Sequence, residues 1–146
     1  MISMNPDFGR TVFDYARYRQ GFPEYLYEML ARLGVTFDGA RAVDLGTGTG
    51  TLARGMARRG ASVTAIDPSS AMTAEAARLD MEWGVSTHYL NTSAENTGLE
   101  SGAFELVTSG QSWWWFDRPA ALAEVQRILR PGGILAICSF DWVPVP

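Results

Sequence analysis

The stretch that decides the fold reads Ala-Val-Asp-Leu-Gly-Thr-Gly-Thr-Gly at residues 42–50. Its first four residues form a short, mostly apolar run, which is typical of a buried strand. The glycines that follow suit a tight turn, because glycine tolerates positive φ angles and close backbone contacts. Residues 51–59 then have a helical pattern that ends at Gly60. The stretch therefore predicts a strand, a glycine loop and a helix.

The same alternation of strands and helices continues along the chain. Apolar or β-branched runs predict strands, and helical periodicity with capping residues predicts helices. The predicted strands cover residues 42–45, 62–66, 85–90, 104–108 and 134–140, and the predicted helices cover residues 11–20, 23–33, 51–59, 70–83 and 117–130. Such alternation indicates parallel pairing. We therefore expect one α/β domain over residues 1–146, with an open, doubly wound, mostly parallel sheet and helices on both faces.

The composition limits the chemistry that this chain can perform. It has 146 residues, a net charge of −4, one cysteine (Cys138), one histidine (His88) and no lysine. These counts exclude a phosphate-loop lysine, a Schiff base and a His/Cys zinc site, so we expect no metal. The net negative charge argues against a nucleic acid as the main partner. No apolar run approaches the roughly 20 residues that a membrane-spanning helix needs, so we expect no membrane partner. A single cysteine without a leader sequence predicts a cytoplasmic protein.

A second acidic residue provides the glycine loop with a partner. Asp67 follows the strand at 62–66 and lies 21 residues beyond Gly46. In nucleotide-binding sheets a carboxylate at about this separation accepts hydrogen bonds from ribose hydroxyls. The two features together predict a ribose-bearing ligand, whereas the glycines alone could serve only a tight turn. The Gly-x-Gly-x-Gly spacing differs from the Gly-x-Gly-x-x-Gly of dinucleotide-binding enzymes.

Five ordered blocks of this sequence resemble the class I S-adenosylmethionine-dependent methyltransferases. The blocks are residues 43–50, 65–69, 93–95, 104–107 and 129–135. Residues 15–23 and 110–117 are similar to the small-molecule, ubiquinone/menaquinone-methyltransferase-like branch, although Trp114 stands where that branch has a histidine. No histidine-based chemistry is therefore carried over, and the catalytic residues stay unassigned. The resemblance implies a Rossmann-like sheet of order 3-2-1-4-5, S-adenosyl-L-methionine as cofactor and S-adenosyl-L-homocysteine as product.

The resemblance also implies which residues bind the cofactor. Asp67 would accept the ribose hydroxyls, the glycine loop would pack under the methionine part, and Asp44 would face its ammonium group or orient the loop. Met72 would lie against adenine or in the core, and Glu95 would meet the adenine edge or be a solvated loop acid. The whole predicted set is Arg19, Asp44, Gly46, Thr47, Gly48, Gly50, Asp67, Pro68, Met72, Ser93, Ala94, Glu95, Gly110 and Gln111.

Aromatic residues at the ligand end of the predicted sheet form the expected substrate pocket. Some follow the fourth strand, where one or two of them could instead pack under the next helix. Others belong to residues 1–34, which form either an N-terminal helical lid or a helix that covers an exposed face of the sheet. Asp117 is expected to cap the next helix, and His88 to be structural. The predicted pocket residues are Tyr15, Tyr18, Trp113, Trp114, Trp115 and Phe116.

The family's sheet has seven strands, and this sequence accounts for the first five. The resemblance therefore implies that the last two strands are absent and that the fifth strand presents an apolar edge. We expect either a fragment of a longer protein or a homodimer that protects this edge. Three functions stay open: methyl transfer to a small-molecule acceptor by in-line displacement, a degenerate cofactor-binding module, and a nicotinamide dehydrogenase, which the glycine spacing disfavours.

Overall fold

The computed structural model describes residues 21–139 and shows a parallel five-stranded sheet with helices on both faces. The sheet order is β3-β2-β1-β4-β5, which confirms the predicted doubly wound fold. A 3₁₀ turn at Trp113–Trp115 precedes the last helix. The elements in chain order are α1 (Glu24–Arg32), β1 (Arg41–Leu45), α2 (Thr51–Ala57), β2 (Ser62–Ile66), α3 (Ser70–Trp83), β3 (His88–Leu90), β4 (Phe104–Gly110), α4 (Arg118–Ile128) and β5 (Leu129–Cys138).

Alternate residues of the central strand point to opposite faces of the sheet, and helices cover each face. Ala42 of β1 lies in the cluster that α1 and α2 cover, together with Leu30 and Met56. Its neighbour Val43 lies in the opposite cluster, to which α4 contributes Ala121, Val125 and Ile128. Burying an aliphatic side chain of this size stabilises the fold by roughly 1.5–3 kcal/mol. The core therefore holds β1, the strand that leads into the glycine loop, in the middle of the sheet.

The predicted capping residues start and end the helices as expected. The Ser69 hydroxyl accepts the N–H of Met72 at 3.3 Å and caps α3, which ends at Gly84 with a φ of 66°. The Asp117 carboxylate accepts the N–H of Ala120 at 3.3 Å and caps α4. Local hydrogen bonds thus define both helix starts.

Several predicted boundaries are wrong, and α2 ends at Ala57 rather than at residue 59. β3 begins at His88 rather than Val85, because the Val85 N–H is donated to the carbonyl of Asp80 at 3.0 Å and does not join the sheet. Helix α4 ends at Ile128 rather than at residue 130, and β5 begins at once. The predicted turn at 131–133 is instead an irregularity inside β5. It absorbs extra residues, since Leu129 pairs with Phe104 and Ile134 with Leu106.

The outer edge of β5 is partly exposed. In the part of the chain that the structure describes, β5 is hydrogen-bonded on one side only, to β4, and Ile137 is 46% exposed. Pairing of this edge with a second chain stays a prediction. The predicted helix at 11–20 and the end of the predicted fifth strand at Phe140 lie outside the described residues.

Candidate functional site

The parallel registers bring several loops together at the carboxyl ends of the strands. Leu45 at the end of β1 pairs with Ile66 of β2, which pairs with Leu90 of β3. On the other side Asp44 pairs with Thr108 of β4. The segments that follow these strands therefore leave the sheet at one edge, where open parallel sheets bind ligands. The predicted loop at 46–50, Asp67, residues 93–95 and residues 110–111 all belong to these segments.

The glycine loop has a tight conformation that protein contacts alone already require. Gly46, Gly48 and Gly50 have φ angles of 64°, 58° and 79°. A Cβ added to Gly46 would lie 2.5 Å from the hydroxyl oxygen of Ser112, and one added to Gly50 would lie 2.5 Å from that of Tyr89. Only glycine fits these two positions without displacing a neighbour. Gly46 and Gly50 are therefore required by the turn itself. From the sequence, the glycines could serve either such a turn or a ligand.

Asp44 is a fully buried carboxylate that orients the loop. One of its oxygens accepts the hydroxyl of Thr47 at 2.7 Å, and the other accepts the hydroxyl of Thr108 at 2.7 Å. Burial raises the pKa of Asp44 to about 6, the two hydroxyl donors lower it, and the charge of Asp67 raises it further. Asp44 therefore links β1 to both the loop and β4. These contacts fit the second of the two roles predicted from the sequence, in which Asp44 orients the loop.

Asp67 joins the tip of β2 to the glycine loop. Its Oδ2 accepts the N–H of Gly48 at 3.0 Å, and its Oδ1 accepts the N–H of Ser69 at 2.9 Å. Burial raises the pKa of Asp67, and these two backbone donors oppose that rise. Each carboxylate oxygen has further lone pairs, so the group can accept two more hydrogen bonds. The side chain is half-buried, and a ligand at the loop can reach it.

A buried ion pair behind the loop was missed on sequence. The Arg54 guanidinium donates to the carbonyls of Thr49 at 2.9 Å and Ala76 at 3.1 Å, and its Nε lies 2.8 Å from Asp80. The Tyr89 hydroxyl donates to Asp80 at 2.7 Å, and burial together with this carboxylate raises the pKa of Tyr89. The network ties the end of the loop to α3. The sequence feature that could have indicated this ion pair is Arg54 itself, a charged residue within the mostly apolar helix α2.

The end of β4 packs against the loop from the other side. Gln111 has a φ of 62°, unusual for a residue with a side chain, and its N–H donates to the carbonyl of Cys138 at 2.8 Å. The Ser112 hydroxyl donates to the carbonyl of Leu45 at 2.9 Å. A Cβ at Gly110 would lie 2.8 Å from the ring of Phe22. Ser112 and Phe22 lie in the segments 110–117 and 15–23 that resemble the family, but the predicted site did not include them.

The segment at 93–95 also has structural partners. Ala94 is buried in the core, and the Ser93 hydroxyl accepts the N–H of Asn96 at 3.2 Å. The Glu95 carboxylate accepts the N–H of Asp117 at 2.8 Å, so it ties this segment to the start of α4 rather than being a free loop acid. On the neighbouring loop and helix, Pro68 is exposed and Met72 is 2% exposed. Contact of these five predicted residues with a cofactor stays a prediction.

The aromatic segment divides into buried and exposed members. Trp113 is buried and packs edge-to-face on Phe116, with ring centroids 5.8 Å apart. Trp114 and Trp115 are 65% and 61% exposed. Some of these rings therefore pack under α4, which was the alternative considered from the sequence, and two are largely exposed. Their role in a substrate pocket stays a prediction.

The other residues and features considered from the sequence do not contribute to the described site around the glycine loop. Tyr15, Tyr18 and Arg19 lie outside the described residues 21–139. His88 is exposed on the edge strand β3, away from the loop. Between residues 21 and 139, no group of three or more His, Cys, Asp or Glu side chains is placed to hold a metal ion. Over the same range, no helix has the length and apolar character needed to cross a membrane.

Comparison with known proteins relates the whole arrangement to one family. A family model described as "Methyltransferase domain" matches residues 43–137. An uncharacterized methyltransferase of Mycobacterium tuberculosis, Rv3342, is 34% identical over 134 residues, which is 92% of this chain and 52% of the relative. A ubiquinone biosynthesis O-methyltransferase of Xanthomonas oryzae is 35% identical over 124 residues, 84% of this chain and 51% of the relative. The chain thus spans about half the length of the curated relatives it matches.

Solved structures show the same fold. A crystal structure from Methanococcus maripaludis superposes with a TM-score of 0.82 at 21% identity, covering 95% of this chain and 67% of that one. At 21% identity this structural similarity establishes only the fold. Membership of the family is established by the family model and by the relatives that are 34% and 35% identical.

Proposed function

The chain belongs to the class I S-adenosylmethionine-dependent methyltransferases, and from this premise we propose that it binds S-adenosyl-L-methionine beside the glycine loop and transfers its methyl group to a small-molecule acceptor. The product would be S-adenosyl-L-homocysteine. The name of the Xanthomonas oryzae relative supports a small-molecule acceptor and is consistent with the resemblance to the ubiquinone-type branch.

The observation that carries this proposal is the position of Asp67. Its carboxylate accepts the N–H groups of Gly48 and Ser69, and these hydrogen bonds hold it against the loop. A ribose offers two neighbouring hydroxyl donors, which match the remaining lone pairs of the two carboxylate oxygens. The half-buried backbone of Gly46 and Gly48 would then lie along the rest of the cofactor.

The residues around the loop fit the other parts of this cofactor. Gly110 and Gln111 end β4 beside the loop and would face the methionine part. The buried Asp44 carboxylate would complement the positive charge of that part through the loop it orients. Ala94 and Pro68 would contribute apolar surface near the adenine. These assignments follow from the shared edge of the sheet and are part of the proposal.

The cofactor, when bound, supplies an electrophilic methyl group on a positively charged sulfur. Asp67 and the loop at Gly46 and Gly48 would hold the cofactor, which would give up its methyl group to a lone pair of the acceptor and be left as a neutral thioether. Alignment of the acceptor with the carbon–sulfur bond provides most of the rate in such a displacement. The chain's contribution is therefore a rigid loop and an ordered pocket wall. No side chain is assigned the role of general base.

The direct test is isothermal titration calorimetry of the 146-residue chain with S-adenosyl-L-methionine, S-adenosyl-L-homocysteine and NAD. We expect both methionine-derived ligands to bind and NAD not to bind. Binding of NAD without any response to the other two would overturn the proposal in favour of a dehydrogenase. Binding of the methionine ligands without methyl transfer in the longer gene product, if one exists, would favour a cofactor-binding module.

A pair of glycine variants tests where the ligand lies. Gly48→Val is expected to abolish binding of S-adenosyl-L-homocysteine, because the branched side chain would occupy the surface of the loop. Gly98→Val is the matched control, since Gly98 also has a positive φ angle, 73°, but has open space around its Cβ position. Equal affinity in the two variants would contradict the proposed position of the cofactor.

Two further expectations concern the protein as a whole. The free, buried Cys138 is consistent with a reducing compartment, and on this ground we propose the cytoplasm. The partly exposed β5 edge supports pairing with a second copy of the chain. Light scattering tests the pairing, and a monomer at all accessible concentrations would exclude the dimer.

A further inference from the structure

An exposed indole, that of Trp114, belongs to a segment that contacts the glycine loop. Trp114 is 65% exposed, although large aromatic rings usually bury much of their surface. Its segment is fixed to the glycine loop, because the Ser112 hydroxyl donates to the carbonyl of Leu45 at 2.9 Å. The ring of Phe116 also lies 3.0 Å from the Cβ position of Gly46. The residues on both sides of Trp114 therefore hold it near the loop.

An arginine without an acidic partner accompanies the Trp114 ring. The guanidinium carbon of Arg118 lies 5.4 Å from the ring centroid of Trp114. The acids of the same segment are engaged elsewhere, since Asp117 accepts the N–H of Ala120 and Glu95 accepts the N–H of Asp117. Arg118 therefore presents its charge to solvent at the start of α4.

This lack of a partner sets Arg118 apart from most arginines of the chain. Between residues 21 and 139, two others form no ion pair, Arg32 and Arg58, and the topology places both at the amino ends of the strands, away from the loop. Six arginines of the same range pair with acids: Arg41 with Glu100, Arg54 with Asp80, Arg59 with Glu24, Arg78 with Glu75, Arg127 with Glu124 and Arg130 with Glu105.

We propose that Trp114 and Arg118 form the recognition site for the methyl acceptor, and that this acceptor carries an anionic group on an apolar body. The inference rests on the proposed function of the glycine loop. A guanidinium binds carboxylate or phosphate through paired N–H donors, and an indole face packs against an alkyl or aromatic group. The acceptor's anion would lie at Arg118, its body over Trp114, and its reactive atom toward the loop.

The proposal is tested with octanoate, octyl phosphate and the neutral analogue octanamide. Each is titrated against the chain saturated with S-adenosyl-L-homocysteine, and binding is followed by ligand-observed NMR. We expect the anions to bind three- to fivefold more tightly than the amide, the size of effect that an exposed ion pair produces. A preference for only one of the two anions would support the site and identify the anion as carboxylate or phosphate.

Two variants separate the roles of charge and ring. Arg118→Gln is expected to remove the preference for the anions and to leave octanamide binding unchanged. Trp114→Ala is expected to weaken binding of all three probes. Both side chains lie on the surface, so both variants are expected to fold, which circular dichroism checks.

A matched control for Arg118 and Trp114 lies at the amino ends of the strands, on the opposite side of the sheet from the loop. The guanidinium of Arg58 lies 4.7 Å from the ring centroid of Trp83, which is 56% exposed. Arg58→Gln removes a guanidinium that also lies over an indole ring, but far from the glycine loop. It is therefore expected to leave the affinity of all three probes unchanged. Equal binding of octanoate and octanamide to the wild type, or equal effects of Arg58→Gln and Arg118→Gln, would overturn the proposal.

A separate titration distinguishes this inference from the function on which it rests. S-adenosyl-L-homocysteine is expected to bind the wild type and the Arg118→Gln variant equally. A weaker affinity in the variant would assign Arg118 to the cofactor and overturn the acceptor role. If S-adenosyl-L-homocysteine fails to bind the wild type, the proposed function falls, and the probe titrations on the free chain still decide whether the anion site exists.

Discussion

Replacing Asp67 by alanine removes the contact on which the cofactor assignment depends. Its carboxylate accepts the N–H groups of Gly48 at 3.0 Å and Ser69 at 2.9 Å. Removing the carboxylate leaves two backbone donors without their acceptor, at about 1–3 kcal/mol for each donor that water does not reach, but it also removes the burial cost of a charged group, since burial raises the pKa of Asp67. We therefore expect Asp67→Ala to lower the free energy of unfolding by roughly 2 kcal/mol and to remain folded.

The loss of cofactor binding is expected to be at least tenfold. The proposed ribose contact is a charge-assisted hydrogen bond, and removing it costs at least about 1.5 kcal/mol of binding free energy. Since every 1.4 kcal/mol is a factor of about ten in affinity, the Kd for S-adenosyl-L-homocysteine should rise by about tenfold or more. Isothermal titration calorimetry near neutral pH measures this change directly.

Asp117→Ala is the matched control for Asp67→Ala. Asp117 is also a carboxylate that accepts a backbone N–H at the start of a helix, from Ala120 at 3.3 Å, so its loss destabilises the fold by about 1 kcal/mol. It is not part of the proposed ribose contact. Unchanged affinity in a folded Asp67→Ala variant would refute the ribose role, and an equal loss in Asp117→Ala would attribute the effect to destabilisation.

Three further substitutions test the structure around the loop. Burial raises the pKa of Asp44 from its ordinary 3.8 to about 6, so the folded state favours the neutral acid. In urea titrations, the free energy of unfolding of the wild type should fall by about 2 kcal/mol relative to Asp44→Asn as the pH rises from about 4 to about 7. Gly46→Ala should lower the unfolding free energy by about 1–3 kcal/mol more than Gly102→Ala, because both glycines have a φ of 64° but only the first added Cβ meets a neighbour, at 2.5 Å. Equal costs would show that the backbone angle alone matters. Glu95→Ala should speed hydrogen exchange of the Asp117 amide, whose acceptor lies 2.8 Å away, and Glu95→Gln should restore much of its protection; no change in Glu95→Ala would exclude the tether.

The parts of the fold that could be predicted are those that local sequence determines. The run at 42–50 contains its own strand, turn and helix start, and Asp67 follows the next strand at once. Once parallel order is known, these two segments must leave the sheet at the same edge, and the Gly48 to Asp67 hydrogen bond confirms that they meet. Local capping residues such as Ser69 could be assigned for the same reason.

The parts that could not be predicted depend on contacts between distant segments. Thr108 lies 64 residues beyond Asp44, and only the pairing of β1 with β4 brings its hydroxyl to the carboxylate. The start of β5 was misplaced because Pro131 and Gly132 read as a turn, whereas pairing with β4 carries the strand through them. Which tryptophans face the core depends on the rotation of one 3₁₀ turn, and consecutive identical residues give no pattern from which to infer it.

Hydrogen bonds within the chain hold the glycine loop in its conformation, and this determines what the loop can contribute to the proposed reaction. The N–H groups of Thr47, Gly48 and Gly50 all donate within the chain, to the carbonyl of Ile66, to Asp67 and to the carbonyl of Thr47. Hydrogen bonds of this kind restrict the loop, and a restricted loop loses less conformational entropy when a ligand binds. Displacement at a sulfonium methyl group depends on alignment more than on proton transfer. A rigid loop is therefore consistent with a site to which neither a lysine nor a histidine is assigned.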